Sequence, residues 1–262
     1  MAREAVPSPK LRDFLGGKDN LQTDRDAAER LLQQLPDAKF GAVINRSFLR
    51  LMVRHLAAQA GIRQFLDIGA GLPTVDNTHQ VAQRVAPDAR VVYVDNDPVV
   101  LVHGRALLEG DPGTLVVKGD LCDPWGILEN PDVRDHLDFT QPIAVLLIAV
   151  MHFVARQGVA REIVQILRRQ LPAGSHIVMS HFAAIAGHDV QGAQDVYSET
   201  VTPVRARTAA EIADLFEGLE LVPPGVDHVR AWLELDEFDV GSVLDEGPLA
   251  RLPLLCVVGR TG

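Results

Sequence analysis

The run Asp67-Ile68-Gly69-Ala70-Gly71 sets a carboxylate two residues ahead of two glycines that are separated by a single residue. Glycines so spaced let the backbone turn tightly and let a ligand come close where a Cβ would stand. A carboxylate beside such a turn can order it and neutralise the ammonium of an amino-acid group; the bland alternative is a plain strand–helix turn. Asp95 lies 24 residues after Gly71, where an acid can accept from both hydroxyls of a ribose. Asn96 stands next to it, and Asp97 before Pro98 reads as a helix cap. Gly119-Asp120-Leu121 follows at a comparable interval. Here Asp120 can accept from an exocyclic adenine amine while Leu121 offers the ring an apolar face, or Asp120 can simply close its own turn. Three acids at three successive intervals are more specific than any one of them. Ammonium, ribose and adenine together describe S-adenosylmethionine.

Further along, Ala149-Val150-Met151-His152-Phe153 ends a long apolar run. His152 is the residue there suited to general base chemistry near neutral pH, and Ala149 would border the cofactor. A buried histidine bonded to backbone is the other reading. His181 has a similar place one strand later. A dinucleotide fingerprint would need a third glycine at position 74, where Thr74 follows Pro73. A nicotinamide-dependent oxidoreductase is therefore the weaker alternative. A non-catalytic protein binding S-adenosylmethionine or S-adenosylhomocysteine would carry the same pocket motifs and stays open. No histidine–acid set has metal-ligand spacing, so no metal is expected.

These residues need elements to hold them. Apolar runs at Gln64–Ile68, Val91–Val94, Leu115–Val117, Ile143–Val150 and Ile177–Ser180 read as strands, with helical patterns at 76–86, 97–109 and 157–171 between them. Strands apolar on both faces and alternating with helices predict a parallel sheet covered on both sides. A helix at 208–217 and strands at Leu219–Val222 and near Leu252–Val258 would complete an α/β fold with a mostly parallel sheet of about seven strands, whose closing strands could form an antiparallel hairpin. Ahead of the sheet, residues 22–35 and 40–60 read as amphipathic helices. The expected division is an N-terminal helical cap or lid over 1–60 and a binding domain over 61–262. Lys18, Asn20 and Arg25, with Asn45 and Arg46, are the polar residues such a lid would turn toward cofactor or substrate; helix caps and surface ion pairs would use the same residues.

The formal charge of −10 speaks against nucleic acid as main partner, because phosphate binding needs a concentrated basic surface. The longest apolar run, Ile143 to Met151, falls far short of the roughly 20 residues of a membrane span. The N-terminus carries no apolar signal region. Two cysteines, Cys122 and Cys256, without partnered spacing, fit a reduced cytoplasm. A small-molecule substrate is the expected partner, and oligomeric state is not legible.

The run Gly61-Ile62-Arg63-Gln64-Phe65-Leu66-Asp67-Ile68-Gly69-Ala70-Gly71-Leu72-Pro73-Thr74 resembles a bacterial S-adenosylmethionine-dependent methyltransferase family formerly catalogued as a domain of unknown function. So do Val91-Val92-Tyr93-Val94-Asp95-Asn96-Asp97-Pro98, Leu15-Gly16-Gly17-Lys18-Asp19-Asn20, Asn45-Arg46, Gly174-Ser175 and Ser180-His181. The likeness covers nearly the whole chain and implies a class I methyltransferase (Rossmann-like) fold. Ala70 stands where most members of that family carry Thr, which changes a loop hydrogen bond rather than the binding itself. The resemblance names no methyl acceptor.

Overall fold

The computed structural model describes residues 37–72, 76–108, 111–185, 203–235 and 246–262, with five further positions between 191 and 198. The predicted helix over 22–35 lies outside them. Helix α1 (Ala38–Ala58) comes first, followed by β1 (Gln64–Ile68), α2 (Thr78–Val85), β2 (Arg90–Asp95), α3 (Pro98–Leu108) and β3 (Thr114–Lys118). Two short helices, α4 (Pro124–Leu128) and α5 (Pro131–His136), lead into β4 (Ala144–Ile148). Then come a 3₁₀ turn at Met151–Phe153, α6 (Gln157–Gln170), β5 (His176–Phe182) and α7 (Ala209–Leu215). The chain closes with β6 (Glu220–Leu221), β7 (Asp227–His228), α8 (Val229–Leu233), α9 (Glu246–Ala250) and β8 (Leu254–Arg260).

All eight strands join one sheet in the order β3-β2-β1-β4-β5-β8-β6, with β7 also paired to β8. The first five are parallel, while β8 runs antiparallel to β5 and to β6. The expected sheet and its antiparallel close are both present, with the two-residue β7 as an extra. The strands are apolar on alternate residues of both faces, and each set meets its own helices. Leu66, Ile68, Val92, Val145 and Met179 pack with residues of α4 to α7 such as Ile127, Ile163, Leu167 and Ile212. Phe65, Val91, Leu146, Val178 and Val258 pack instead with α1, α2, α8 and α9 through Phe48, Met52, Val81, Trp232 and Leu249. The indole of Trp232 meets Phe48 edge-on at 5.9 Å and donates to Cys256 O at 3.1 Å. This seats α1 on the sheet.

The helical stretches read from periodicity recur within two residues at either end. Helices α4, α5, α8 and α9 are not legible in the sequence, because five or six residues carry too little periodicity. The starts of α4 and α5 come from capping: Asp123 accepts from Gly126 N–H and Asn130 from Asp132 N–H, each with proline in the first turn.

Because β1 to β5 are parallel, their carboxyl ends share one edge. The order of the sheet reverses at β1, which has β2 on one side and β4 on the other. The crevice at such a reversal is where open α/β sheets take ligands.

Candidate functional site

Two glycines carry the chain out of β1. Gly69 and Gly71 have φ of 75° and 66°, left-handed angles that a residue with a Cβ adopts only at a cost. A Cβ on Gly69 would stand 2.4 Å from Val150 Cγ2, whereas one on Gly71 would meet nothing within 4 Å. Packing against the end of β4 dictates the first glycine. The second leaves open space over bare backbone.

Asp67 lies under this turn, 5% exposed. Its Oδ2 accepts from Thr78 Oγ1 at 2.7 Å. Burial pushes its carboxyl up to about 6, against the Thr78 bond and the nearby Arg46 charge and with help from the Asp95 charge. A buried carboxylate in this position is short of positive charge. Half-buried Asp95 ends β2, its Oδ2 accepting from Gly71 N–H at 2.8 Å and its Oδ1 from Asp97 N–H at 2.9 Å. Burial raises this carboxyl as well, opposed by those backbone donors. The carboxylate keeps acceptor capacity for a further donor.

Asp67, Ala70, Gly71 and Asp95 line one cleft that runs between α2 and α3 toward Tyr93 and Val116. His79 closes its floor, donating its N–H to Tyr93 Oη at 2.9 Å with its Nδ1 at the same distance. The donor set fits S-adenosylmethionine, which brings an ammonium, a sulfonium and a ribose diol to incompletely neutralised carboxylates beside open backbone.

The other predicted cofactor residues lie along the same edge. Asn96 is exposed beside Asp95. Asp120 and Leu121 follow β3, whose Gly119 N–H donates to Asp95 O at 3.0 Å. They are not among the cleft's lining residues. Exposed Asp120 closes its own turn, its Oδ1 accepting from Cys122 N–H at 2.8 Å, and Leu121 packs half-buried on the core.

Beyond β4 the surroundings change. Ala149 takes φ 53°, and its N–H donates to Ser180 Oγ at 2.9 Å, which donates on to Asn45 Oδ1 at 2.5 Å. Asn45, read as a lid residue, thus braces α1 against the ends of β4 and β5. His152 is 8% exposed, and its buried Nδ1 has no hydrogen-bond partner among the described residues. Its ring tilts on Phe153 at 4.4 Å and meets His181 edge-on at 5.7 Å. Burial holds it well below the usual imidazole range, and the charges of His181 and Arg207 act the same way. His181 is fully buried, its Nδ1 2.6 Å from Phe182 O and its Nε2 2.8 Å from Arg207 Nη1; burial pulls it down to about 4.

Of the other proposed lid residues, Lys18, Asn20 and Arg25 lie outside the described residues. Arg46 lines the cleft and donates from Nη2 to Asp76 O at 2.9 Å and Asn77 Oδ1 at 3.0 Å. Sequence reasoning missed Thr78 and Arg207. Thr78 is 11 residues from Asp67 at the first position of α2, where a hydroxyl looks like an ordinary helix start. Nothing in the sequence marks Arg207.

A model of the S-adenosyl methyltransferase family matches residues 7–247 of this chain. A crystal structure of a candidate methyltransferase from Thermobifida fusca YX is 41% identical with TM-score 0.88, covering 98% of this chain and 95% of that one. A DUF574 family protein from Streptomyces avermitilis MA-4680 is 39% identical with TM-score 0.89, covering 98% of both chains. Human N-acetylserotonin methyltransferase, solved with S-adenosylmethionine, is 14% identical with TM-score 0.53, covers 97% of this chain and 62% of that one, and shares the fold alone. No curated protein matches. With a class I sheet order and a family match over nearly its whole length, the chain belongs to the S-adenosyl methyltransferase family, whose cofactor is S-adenosylmethionine.

Proposed function

We propose that this protein transfers the methyl group of S-adenosylmethionine to a small-molecule acceptor brought to the carboxyl ends of β4 and β5. The observation that carries this reading is the meeting of Asp67 and Asp95 on one cleft beside the open backbone of Gly71. When bound, S-adenosylmethionine supplies an electrophilic methyl on a sulfonium whose charge is lost on transfer, so no acid is needed at sulfur.

In this reading Asp67 holds the ammonium, and the turn of Gly69, Ala70 and Gly71 gives backbone contact. Asp95, with Asn96 beside it, accepts from the ribose diol. Asp120 offers the adenine amine its Oδ2, the oxygen its own turn does not use, Leu121 covers the ring and Ala149 borders the cofactor from the β4 side. His152 stands at the acceptor end. Where the acceptor begins as a hydroxyl or protonated amine, His152 Nδ1 takes its proton, an atom that has no other partner among the described residues.

Incubation with isotope-labelled S-adenosylmethionine and fractionated bacterial metabolites, read by mass spectrometry, tests the activity. Formation of S-adenosylhomocysteine together with a product heavier by one methyl group supports it. Tight binding without turnover in any fraction would favour a sensor of the cofactor. Asp95→Ala should weaken cofactor binding by about 1–3 kcal/mol, the cost of stranding hydrogen-bond partners; unchanged affinity in calorimetry removes Asp95 from the pocket. His152→Ala should slow turnover and keep cofactor affinity. Full turnover removes His152 from the chemistry.

A further inference from the structure

The turn that carries His152 is held by a buried cation. Arg207 is fully buried, and its guanidinium donates from Nη1 to Met151 O at 3.1 Å and from Nη2 to Val154 O at 2.5 Å, one residue before and two residues after His152. Its Nε donates to Gln157 Oε1 at 2.7 Å, at the start of α6. Its Nη1 also donates to His181 Nε2 at 2.8 Å. A guanidinium has no acceptor, so His181 Nε2 must accept there, leaving the proton on Nδ1 for Phe182 O at 2.6 Å. The adjoining Arg205 adds a backbone bond, its N–H donating to His152 O at 2.8 Å, while its side chain pairs with Glu211 at 2.6 Å and donates to Ala155 O at 2.9 Å. Among the described residues, none of the hydrogen-bond partners of Arg207 is a carboxylate. A buried guanidinium so placed spends its donors on geometry rather than on neutralising an acid.

We infer that Arg207 is a positioning residue for the acceptor end of the site: it locks His181 in the Nδ1–H tautomer and fixes the 151–154 turn, and with it the ring of His152, whose Nδ1 has no partner among the described residues. This rests on the reading of His152 as the acceptor-end residue. Around the two rings stand Phe153, Arg205, Arg207 and Glu211, and the cation works against protonation of both imidazoles.

The test is ¹⁵N imidazole spectroscopy of the full-length protein from pH 5 to 8, without cofactor, with calorimetric titration of S-adenosylmethionine on the same samples. The wild type should show His181 as the Nδ1–H tautomer and both rings neutral throughout. In Arg207→Gln the tautomer should become mixed, and the His152 and His181 titrations should rise by about one pH unit or more as the cation is lost. Arg207→Lys keeps the charge and loses the fork, so it should keep the low titrations while releasing the tautomer. A wild-type His181 in the Nε2–H form overturns the inference without recourse to any variant. A folded Arg207→Gln or Arg207→Lys with unchanged imidazole shifts also overturns it. If the wild type shows the expected tautomer but binds no S-adenosylmethionine, the methyltransferase reading fails, and with it the acceptor-end role, while the hold of Arg207 on His181 and the 151–154 turn stands.

Discussion

At the ends of β1 and β2 the buried charge is negative, and at the ends of β4 and β5 it is positive. The first region holds two carboxylates, Asp67 and Asp95, that burial pushes toward their protonated forms. The second holds a buried guanidinium, Arg207, and two imidazoles that burial keeps neutral. The regions touch where Gly69 meets Val150. Each is costly to bury as it stands, in opposite senses. An incoming cation relieves the first, while the second holds its imidazoles in their neutral form. That polarity suits a cationic methyl donor on the carboxylate side.

The contact between the regions gives the largest expected effect. Gly69→Ala adds a Cβ against Val150 at a left-handed φ, and should cost about 2–4 kcal/mol in denaturant unfolding; a cost under about 0.5 kcal/mol would mean the two ends are not tightly joined. Next is Asp67→Asn. Asp67 is raised from its unfolded value to about 6, so the folded state binds the extra proton between these values. Its favourable contribution is present at low pH and is lost as pH rises through 6. Removing the charge should therefore stabilise the ligand-free protein by about 1–3 kcal/mol at pH 7 while weakening S-adenosylmethionine binding. A destabilised Asp67→Asn protein that binds normally would reverse the assignment.

The histidines slope the other way. His152 and His181 are depressed on folding, so between about pH 6.5 and 4 the unfolded chain takes up protons that the folded chain refuses, and stability falls with acid. In the wild type the Asp67 slope partly offsets this loss. Asp67→Asn should consequently lose stability more steeply on acidification than the wild type does, by about 1–2 kcal/mol between pH 6.5 and 4.5. Parallel curves from chemical denaturation at each pH would show that the two regions are not opposed.

The two regions also differ in how far the sequence reveals them. The acids at the ends of β1 and β2 are legible because each closes an apolar run just ahead of a turn signal, so local pattern alone brings Asp67, Gly71 and Asp95 to one edge. The central strands and longer helices are legible for the same reason: alternation and the 3.6-residue period act over neighbours in sequence. Arg207 is 26 residues from His181 and 56 from Met151, and its role arises only when β5 and the 203–207 segment fold against the β4 turn. A charged residue between short polar segments reads as surface until tertiary packing buries it. Asn45 was marked from the resemblance, but its bond to Ser180 spans 135 residues. Gly71 and Asp95, 24 residues apart, are legible because each sits on a strand-and-turn pattern, whereas Thr78, only 11 residues from Asp67, and Arg207, 26 from His181, sit on none and gain their roles from tertiary packing.

Proton exchange on cofactor binding tests the carboxylate cleft most directly. S-adenosylmethionine should be titrated by calorimetry into the wild type from pH 5 to 7, in pairs of buffers that differ in ionisation enthalpy. A cation settling beside Asp67 should draw its proton off: more than half a proton released per cofactor near pH 5.5, with affinity rising about tenfold over the range. Binding that is flat with pH and releases no protons, or no binding at all, would contradict the placement of the cofactor's charge on Asp67.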